Sequence, residues 1–181
     1  NTALVNDGVT LAPGVIPDRD DPLYPVGNSV HANVSAFWTL PVSPMFKEAS
    51  FLGEVAWNKL TSISENPEAL AARATPQAVA TRFVFTPTYR QVLSGLDLDV
   101  PFGVGYAPKG TSSVVSAFGP DHGGDVSIGA NLTYFNIWKV GINLTHYFGP
   151  EDTGADETGR LTFKQTLKDR DFIALSVQRT F

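Results

Sequence analysis

The sequence lacks cysteine, has a single methionine, and is poor in charge, with 17% Asp, Glu, Lys and Arg among its 181 residues. Without cysteine, thiolate metal sites, iron–sulfur clusters and disulfides are excluded. The uninterrupted apolar runs are only a few residues long, whereas a transmembrane helix needs about 20 apolar residues. The net charge is −5 and no Lys/Arg-rich run occurs, so we expect no nucleic-acid partner. A transmembrane β-barrel is not excluded, because its strands alternate apolar and polar residues and need no long apolar run.

Apolar and polar residues alternate in seven segments, less cleanly in 49–60 and 79–90 than in the other five, which predicts β-strands with two unlike faces. In residues 96–106 the even positions are all large and apolar, and the odd positions are Asp, Pro and Gly. The seven predicted strands are 30–40, 49–60, 79–90, 96–106, 125–134, 138–148 and 173–181. Between the second and third strands, Asn66 and Pro67 predict the start of a short helix, with Asn66 as its N-cap.

The connections between these strands alternate in length. Those at 61–78, 107–124 and 149–171 are long, polar and rich in Gly, Pro and Asp, while those at 41–48, 91–95 and 135–137 are short. Long loops at one end and tight turns at the other are typical of outer-membrane barrels, whose long loops lie outside the cell. The short helix would then lie in an extracellular loop.

A soluble β-sandwich also alternates, but its outer faces usually carry Lys, Glu and Arg. Here the polar faces carry mainly Gly, Ser, Thr, Asn and Asp, which favours a water-filled lumen. Aromatic residues near the strand ends suit the two interfacial girdles of a barrel: Trp38, Trp57, Tyr89, Tyr106, Trp138, Phe148 and Phe181. We therefore predict an all-β protein, a transmembrane antiparallel β-barrel in the bacterial outer membrane, in contact with lipid and lipopolysaccharide.

Matching the faces of neighbouring strands predicts the register of two hairpins. Tyr134 should lie opposite Trp138 across a 135–137 turn, and Arg90 opposite Asp97 inside the barrel. The polar residues predicted to face the lumen are Arg90, Asp97, Asp99, Asn131, Lys139 and Asn143.

Four glycines fall on the inward faces of three neighbouring predicted strands, namely Gly103, Gly105, Gly129 and Gly141. Glycine weakens a strand, so a patch of it suggests that something approaches the wall closely. A plug, an inward-folded loop such as 149–171 or a transported molecule would do so. Small residues that merely keep a water-filled bore open are the alternative.

The predicted topology divides the chain into residues 1–29, an extracellular loop or linker, and 30–181, a barrel segment. Seven strands are an odd number, and the first would run inward from outside. Single-chain bacterial barrels have even strand numbers, so we expect this chain to be the C-terminal part of a larger barrel with a missing N-terminal part. The alternative is a missed strand in residues 1–29, for which 9–12 is the one short candidate.

Several polar clusters are candidates for chemistry. The clusters that could bind a cation are Asp121-His122 with Asp125, Glu151-Asp152 with Asp156-Glu157, and Asp18 with Asp20-Asp21. Solvated loops explain them better, so we expect no metal and no cofactor. His146 lies on the lipid-facing set near the outer rim, but no Ser is obviously paired with it. We therefore do not expect an enzyme.

Five segments resemble the C-terminal part of a proteobacterial family of large outer-membrane proteins known only as a domain of unknown function. They are 52–58 (LGEVAWN), 85–93 (FTPTYRQVL), 95–101 (GLDLDVP), 145–149 (THYFG) and 168–176 (KDRDFIALS). The resemblance runs from about residue 29 to the end. Family members are much longer, which agrees with the expectation of missing strands.

The resemblance implies a genomic setting beside a periplasmic lipoprotein-like partner and inner-membrane exporters of the resistance–nodulation–division type. It further implies a channel or transport component for a hydrophobic or lipid-like molecule, and the barrel-assembly machinery as a partner that reads the terminal aromatic, Phe181. An outer-membrane hydrolase acting on lipids or esters is the alternative, and a structural or adhesive surface protein is a third hypothesis.

Overall fold

The computed structural model describes residues 2–6, 23–116 and 118–181. These residues form one antiparallel β-sheet, so the predicted all-β class is confirmed. The strands are β1 (Thr2–Ala3), β2 (Val26–Leu40), β3 (Glu48–Glu65), β4 (Gln77–Leu93), β5 (Leu96–Asp99), β6 (Phe102–Lys109), β7 (Gly124–Tyr134), β8 (Trp138–Phe148) and β9 (Phe172–Arg179). The candidate strand at 9–12 lies outside the described residues.

All seven predicted strands are present, and one of them is divided. The predicted strand 96–106 forms β5 and β6, which are separated at Val100 and Pro101. The sheet continues past the break, because the Val100 N–H donates to the Pro87 carbonyl at 3.0 Å and the Gly129 N–H donates to the Pro101 carbonyl at 2.9 Å. Proline has no N–H to complete a ladder, which accounts for the interruption.

Strands that follow one another in the chain are neighbours in the sheet, in the order β1, β2, β3, β4, β5 with β6, β7, β8, β9. Within the described residues, β2 and β9 do not pair with each other, and β1 pairs with β2 only at Val26 and Gly27. Most of β2 and all of β9 therefore have one edge without a strand partner in this part of the chain.

The predicted hairpin register between β7 and β8 is confirmed, with Tyr134 opposite Trp138. Phe135 and Asn136 form the turn with left-handed backbone angles, φ 48° and 57°, and the Ile137 N–H donates to the Tyr134 carbonyl at 3.0 Å. Asparagine tolerates this conformation better than most residues.

The predicted short helix is a single 3₁₀ turn, Pro67–Ala69. Its predicted N-cap is wrong, because Asn66 is left-handed (φ 49°) and makes no side-chain cap. The Asn66 amide instead donates to the Tyr24 carbonyl at 3.3 Å. The side chain is thus used to hold the start of β2 beside this loop.

The two faces of the sheet differ in exposure as well as in composition. The face that we call the apolar face carries large side chains that stand free of the described residues, among them Leu175, which is 72% exposed, and Ile142, which is 49% exposed. The exposed apolar residues of this face include Val34, Trp38, Val55, Phe83, Ile128, Ile142, Leu144, Ile173, Leu175 and Val177. Near the short turns, Phe46 packs edge-on against Phe85 of this face, with the ring centroids 6.0 Å apart.

Most of the buried residues lie instead at the end of the sheet that carries the long loops. They include Leu4, Val5, Val26, Ala69, Ala71, Ala78, Ala107, Ser113, Thr162 and Gln165. Backbone hydrogen bonds join the pieces, since the Val5 N–H donates to the Ser113 carbonyl at 2.9 Å and the Ala71 N–H donates to the Val5 carbonyl at 3.0 Å. The described part of the N-terminal segment therefore lies at the long-loop end.

No helix in the described part of the chain is both long and apolar enough to cross a membrane.

Candidate functional site on the polar face of the sheet

Ion pairs organise the opposite face of the sheet, which we call the polar face. Cross-strand pairing places Glu54 beside Arg82, Arg82 beside Gly105, and Gly105 beside Asp125. We call these four residues the charged row. The Arg82 guanidinium reaches over Gly105 and donates to both carboxylate oxygens of Asp125, at 3.1 and 3.3 Å. Glu54 accepts a hydrogen bond from the Asn33 amide at 2.8 Å and has no ion-pair partner among the described residues.

A second ion-pair cluster lies on the same face toward the short turns. Arg90 donates to Asp97 at 2.9 Å, as the sequence predicts, and also to Glu48. The Gln91 N–H donates to Asp97 at 2.8 Å. Glu48 was not foreseen as a partner, because it begins β3 in a segment whose alternation is weak. Its position opposite Thr88 in the face-matched register is the signal that could have found it.

Asp99 belongs to the same cluster, since Thr88 lies opposite it and donates its hydroxyl at 2.5 Å. This register is the one that the sequence predicts. Thr88 is buried, so its hydroxyl requires such a partner.

A row of apolar residues separates the two ion-pair clusters. Phe37 lies opposite Leu52, Leu52 opposite Val84, and Val84 opposite Gly103. Phe37 is 70% exposed although it stands on the polar face. The polar face therefore alternates between charged and apolar bands along the strand direction.

The remaining polar residues predicted for the lumen lie on the polar face of β7 and β8. Asn131 is opposite Gly141, and Asn143 is opposite Gly129 on one side and Ala174 on the other. The Asn143 Oδ1 atom is buried and has no hydrogen-bond partner among the described residues. Lys139 is exposed opposite Gln178 near the short-turn end.

The four glycines also lie on the polar face, and neighbouring strands fill the space above them. A Cβ atom on Gly105 would come within 2.8 Å of Asp125 Oδ1 and 2.9 Å of Arg82 Nη1. A Cβ on Gly141 would come within 2.7 Å of both Asn131 Oδ1 and Ser176 Oγ. Gly103 is crowded by Ser127 and Gly129 by Pro101. The groups closest to these glycines are thus cross-strand side chains and, at Gly129, the Ile142 carbonyl and Pro101, and loop 149–171 is not among them.

The connection between β6 and β7 and the charged row together line an open cavity of about 330 Å³. Ala56, Ala80 and Ala107 form its floor on three neighbouring strands, and Val115, Phe118 and Pro120 lie on its loop side. Glu54, Arg82 and Asp125 lie at its rim. The loop residues that line this cavity belong to 110–116 and 118–123, and none of its lining residues belongs to 149–171.

The 149–171 connection is hydrogen-bonded to the β6–β7 connection and to the start of β7. The Asp121 N–H donates to the Phe163 carbonyl at 2.6 Å, and the buried Gln165 amide donates to the Gly124 carbonyl at 2.9 Å. Arg73 of the 66–76 loop pairs with Asp156 at 2.8 Å. These contacts join all three long loops at one end of the sheet.

Asp156 accepts several hydrogen bonds within this loop assembly. Hydrogen bonds from the Thr158 hydroxyl and then from the Arg160 N–H lower the pKa of its carboxyl from 3.8 to about 2, with help from the charge of Arg73. The pKa of Asp152 is also lowered, chiefly by a hydrogen bond from Lys164.

Acidic residues of the clusters considered as cation sites form ion pairs with basic side chains. Asp125 pairs with Arg82, Glu151 with Lys168 and Asp152 with Lys164. His122 lies 3.3 Å from its neighbour Asp121. Within the described residues, no three His, Asp or Glu side chains are grouped closely enough to hold a metal ion, and Asp18, Asp20 and Asp21 lie outside those residues.

His146 stands on the apolar face near the long-loop end. Its Nδ1 lies 2.6 Å from Asp171, which also accepts the Tyr147 N–H at 3.0 Å. The residue directly opposite on β7 is Val126. The cross-strand neighbour of this histidine therefore supplies no hydroxyl nucleophile.

The aromatic residues proposed for the girdles lie on the apolar face of the strands or at the chain end. Tyr106 stacks on Phe148 with ring centroids 5.9 Å apart near the long-loop end. At the other end, the Arg179 guanidinium lies 5.2 Å from the Trp138 ring and 4.8 Å from the Phe181 ring. Trp38, Trp57 and Tyr89 lie opposite Phe51, Val79 and Leu98 respectively.

Comparison with known proteins finds a family match that covers residues 3–181. No curated protein and no solved structure matches the chain. The family is described as protein of unknown function (DUF1302). Because the match covers nearly the whole chain, this protein belongs to the DUF1302 family.

Proposed function

We propose that this protein is a β-barrel protein of the bacterial outer membrane and acts there as a channel or transport component for a hydrophobic or lipid-like molecule. The observation that carries the proposal is the exposed apolar face of the sheet. Large contiguous apolar surfaces on soluble proteins are normally covered, whereas the outer face of a membrane barrel contacts lipid. Leu175 and Ile142 exemplify this surface, and both stand in mid-strand.

The polar face supports the same proposal, because the lumen of a barrel is polar. Ion pairs, amides and glycines occupy this face, and the long-loop assembly covers it at one end. Closing such a sheet into a barrel requires partners for the free edges of β2 and β9. We propose that further strands of a longer polypeptide supply them.

The transport part of the proposal rests on the mixed surface of the polar face. A purely polar bore suits water and ions, whereas the row Phe37, Leu52 and Val84 offers apolar contact inside. The resemblance to exporter-associated outer-membrane proteins supports the same cargo. It also suggests a periplasmic lipoprotein-like partner, an inner-membrane exporter and the barrel-assembly machinery as partners.

Flux through vesicles tests the proposal directly. The full-length protein is reconstituted into liposomes, and entry of a hydrophobic fluorescent probe is compared with entry of a hydrophilic dye of similar mass. We expect the hydrophobic probe to enter faster than it enters protein-free vesicles. Phe37→Asp should reduce this rate, whereas Thr39→Asp, two residues farther along the same strand, should leave it unchanged. Equal rates with and without protein, in vesicles that contain folded protein, would overturn the transport assignment.

A further inference from the structure

The cavity over the charged row has the composition of a binding site for an amphiphilic molecule. Three alanines on neighbouring strands give it a smooth floor, and Val115 and Phe118 face them from the loop. Its volume of about 330 Å³ suits a short hydrocarbon chain, given that ligand pockets start at about 300 Å³. The loop side and the floor would each contact one side of such a chain.

The charge at the rim selects the head group. Arg82 and Asp125 neutralise each other through their two hydrogen bonds. Glu54 is left with only the neutral Asn33 amide as its partner among the described residues. The rim therefore carries one net negative charge, which favours a cationic group and opposes an anionic one.

We propose that this cavity binds an amphiphile with a cationic head, whose ammonium-like group lies against Glu54 and whose hydrocarbon part lies between the alanine floor and Phe118. The inference rests on the proposed transport function and names the substrate class for it. The apolar row Phe37, Leu52 and Val84 begins two residues farther along each strand, about 7 Å away. It lies on the far side of the charged row from the alanine floor.

The absence of cysteine gives a direct assay. Ala80→Cys places a thiol in the floor of the cavity, and Ala174→Cys places a thiol on the polar face of β9, outside the cavity. The full-length protein in lipid nanodiscs is treated with a maleimide in the presence of decyltrimethylammonium or of decyl sulfate, each below its micellar concentration. The two probes share a chain and differ in the charge of the head.

We expect decyltrimethylammonium to slow labelling of Ala80→Cys at a concentration about tenfold lower than decyl sulfate requires, because the rim charge is only partly screened. Labelling of Ala174→Cys should not change with either probe. Adding Glu54→Gln to Ala80→Cys should bring the two probes to equal potency, since glutamine keeps the acceptor for Asn33 and removes the charge. Phe118→Ser should weaken both probes together.

Equal protection by the two probes in the Ala80→Cys protein, or protection that Glu54→Gln leaves unchanged, would overturn the inference. Protection of Ala174→Cys to the same degree would also overturn it, because it would show that the probes shield thiols on the polar face outside the cavity. The outcome is separable from that of the flux assay. Flux without head-group selectivity contradicts this inference alone, and selective protection without flux contradicts the transport function alone.

Discussion

Arg82 and Asp125 are joined by two hydrogen bonds across an intervening strand, with Gly105 beneath them. A salt bridge of this span is available only where the middle strand has no side chain. The glycine therefore has a structural use that needs neither a plug nor a cargo. Asn131 and Ser176 flank Gly141 in the same manner.

The first prediction concerns this bridge. Gly105→Leu should destabilise the protein by about 1–3 kcal/mol, the usual cost of overpacking, because the new side chain displaces Arg82 and Asp125. In an Arg82→Ala/Asp125→Ala background most of that cost should disappear, which gives a coupling energy of about 1 kcal/mol. Urea unfolding of the protein in lipid vesicles measures both.

Gly154→Leu is the control for the bridge, since a Cβ there meets only a methyl group of Thr166 at 3.9 Å. It should change the unfolding free energy by less than about 0.5 kcal/mol. If Gly105→Leu costs the same with and without the ion pair, the proposed use of the glycine is wrong.

The second prediction is a pH dependence of the loop assembly. Because the folded-state pKa of Asp156 is lowered to about 2 from 3.8, its contribution to stability is fully present above pH 3.8 and is lost as the pH falls toward 2. The melting temperature of the unchanged protein should therefore exceed that of Asp156→Asn at pH 6. The difference should narrow between pH 4 and pH 2, and a difference that widens on acidification would contradict the assignment.

The third prediction concerns the last strand. Arg179 lies over Trp138 and Phe181, an arrangement that stabilises by about 0.5–1 kcal/mol at exposed sites. Arg179→Gln should speed amide exchange in β9, whereas Arg179→Lys, which keeps the charge, should have a smaller effect. In a Trp138→Leu background, Arg179→Gln and Arg179→Lys should differ less in the rate of β9 amide exchange. Equal exchange in all these proteins would show that the ring contacts do not hold the strand.

The fourth prediction compares two adjacent residues on β9. Leu175→Arg would place a charge in mid-strand on the apolar face, which, if it contacts lipid as proposed, costs about 2–4 kcal/mol. Ala174→Arg would place the same charge on the polar face. We expect Leu175→Arg to lower the amount of heat-modifiable, folded protein in outer-membrane fractions, and Ala174→Arg to leave it near the level of the unchanged protein. The reverse order would contradict the assignment of faces.

The strands and their registers could be read from the sequence because period-two alternation records both the strand and its two faces. The 135–137 turn and the Arg90–Asp97 pair follow from that pattern alone. The break at Pro101 could not be read from this pattern, because proline removes only a single N–H. The strand Thr2–Ala3 could not be read either, because two residues are too few to show a period.

The cavity could not be predicted from the sequence for a different reason. It depends on where the β6–β7 loop folds, and loops carry no periodic signal. The Arg82–Asp125 pair was not predicted, because the two residues lie on strands separated by another strand and only the full register brings them together. The sequence places Gly105 on the inward face of its strand, but it does not show that the Arg82–Asp125 pair lies above this glycine.

The central claim is that the apolar face contacts lipid and the polar face lines an aqueous interior. Because the chain has no cysteine, single cysteines at Lys139, Val140, Ile142, Asn143 and Leu144 can each carry a spin label in the full-length protein in lipid vesicles. Collisions with oxygen, which concentrates in lipid, and with a water-soluble nickel chelate are then measured at every position. We predict high oxygen accessibility at the even positions and high nickel accessibility at the odd positions. The same accessibility at all five positions, or alternation in the opposite sense, would contradict the account.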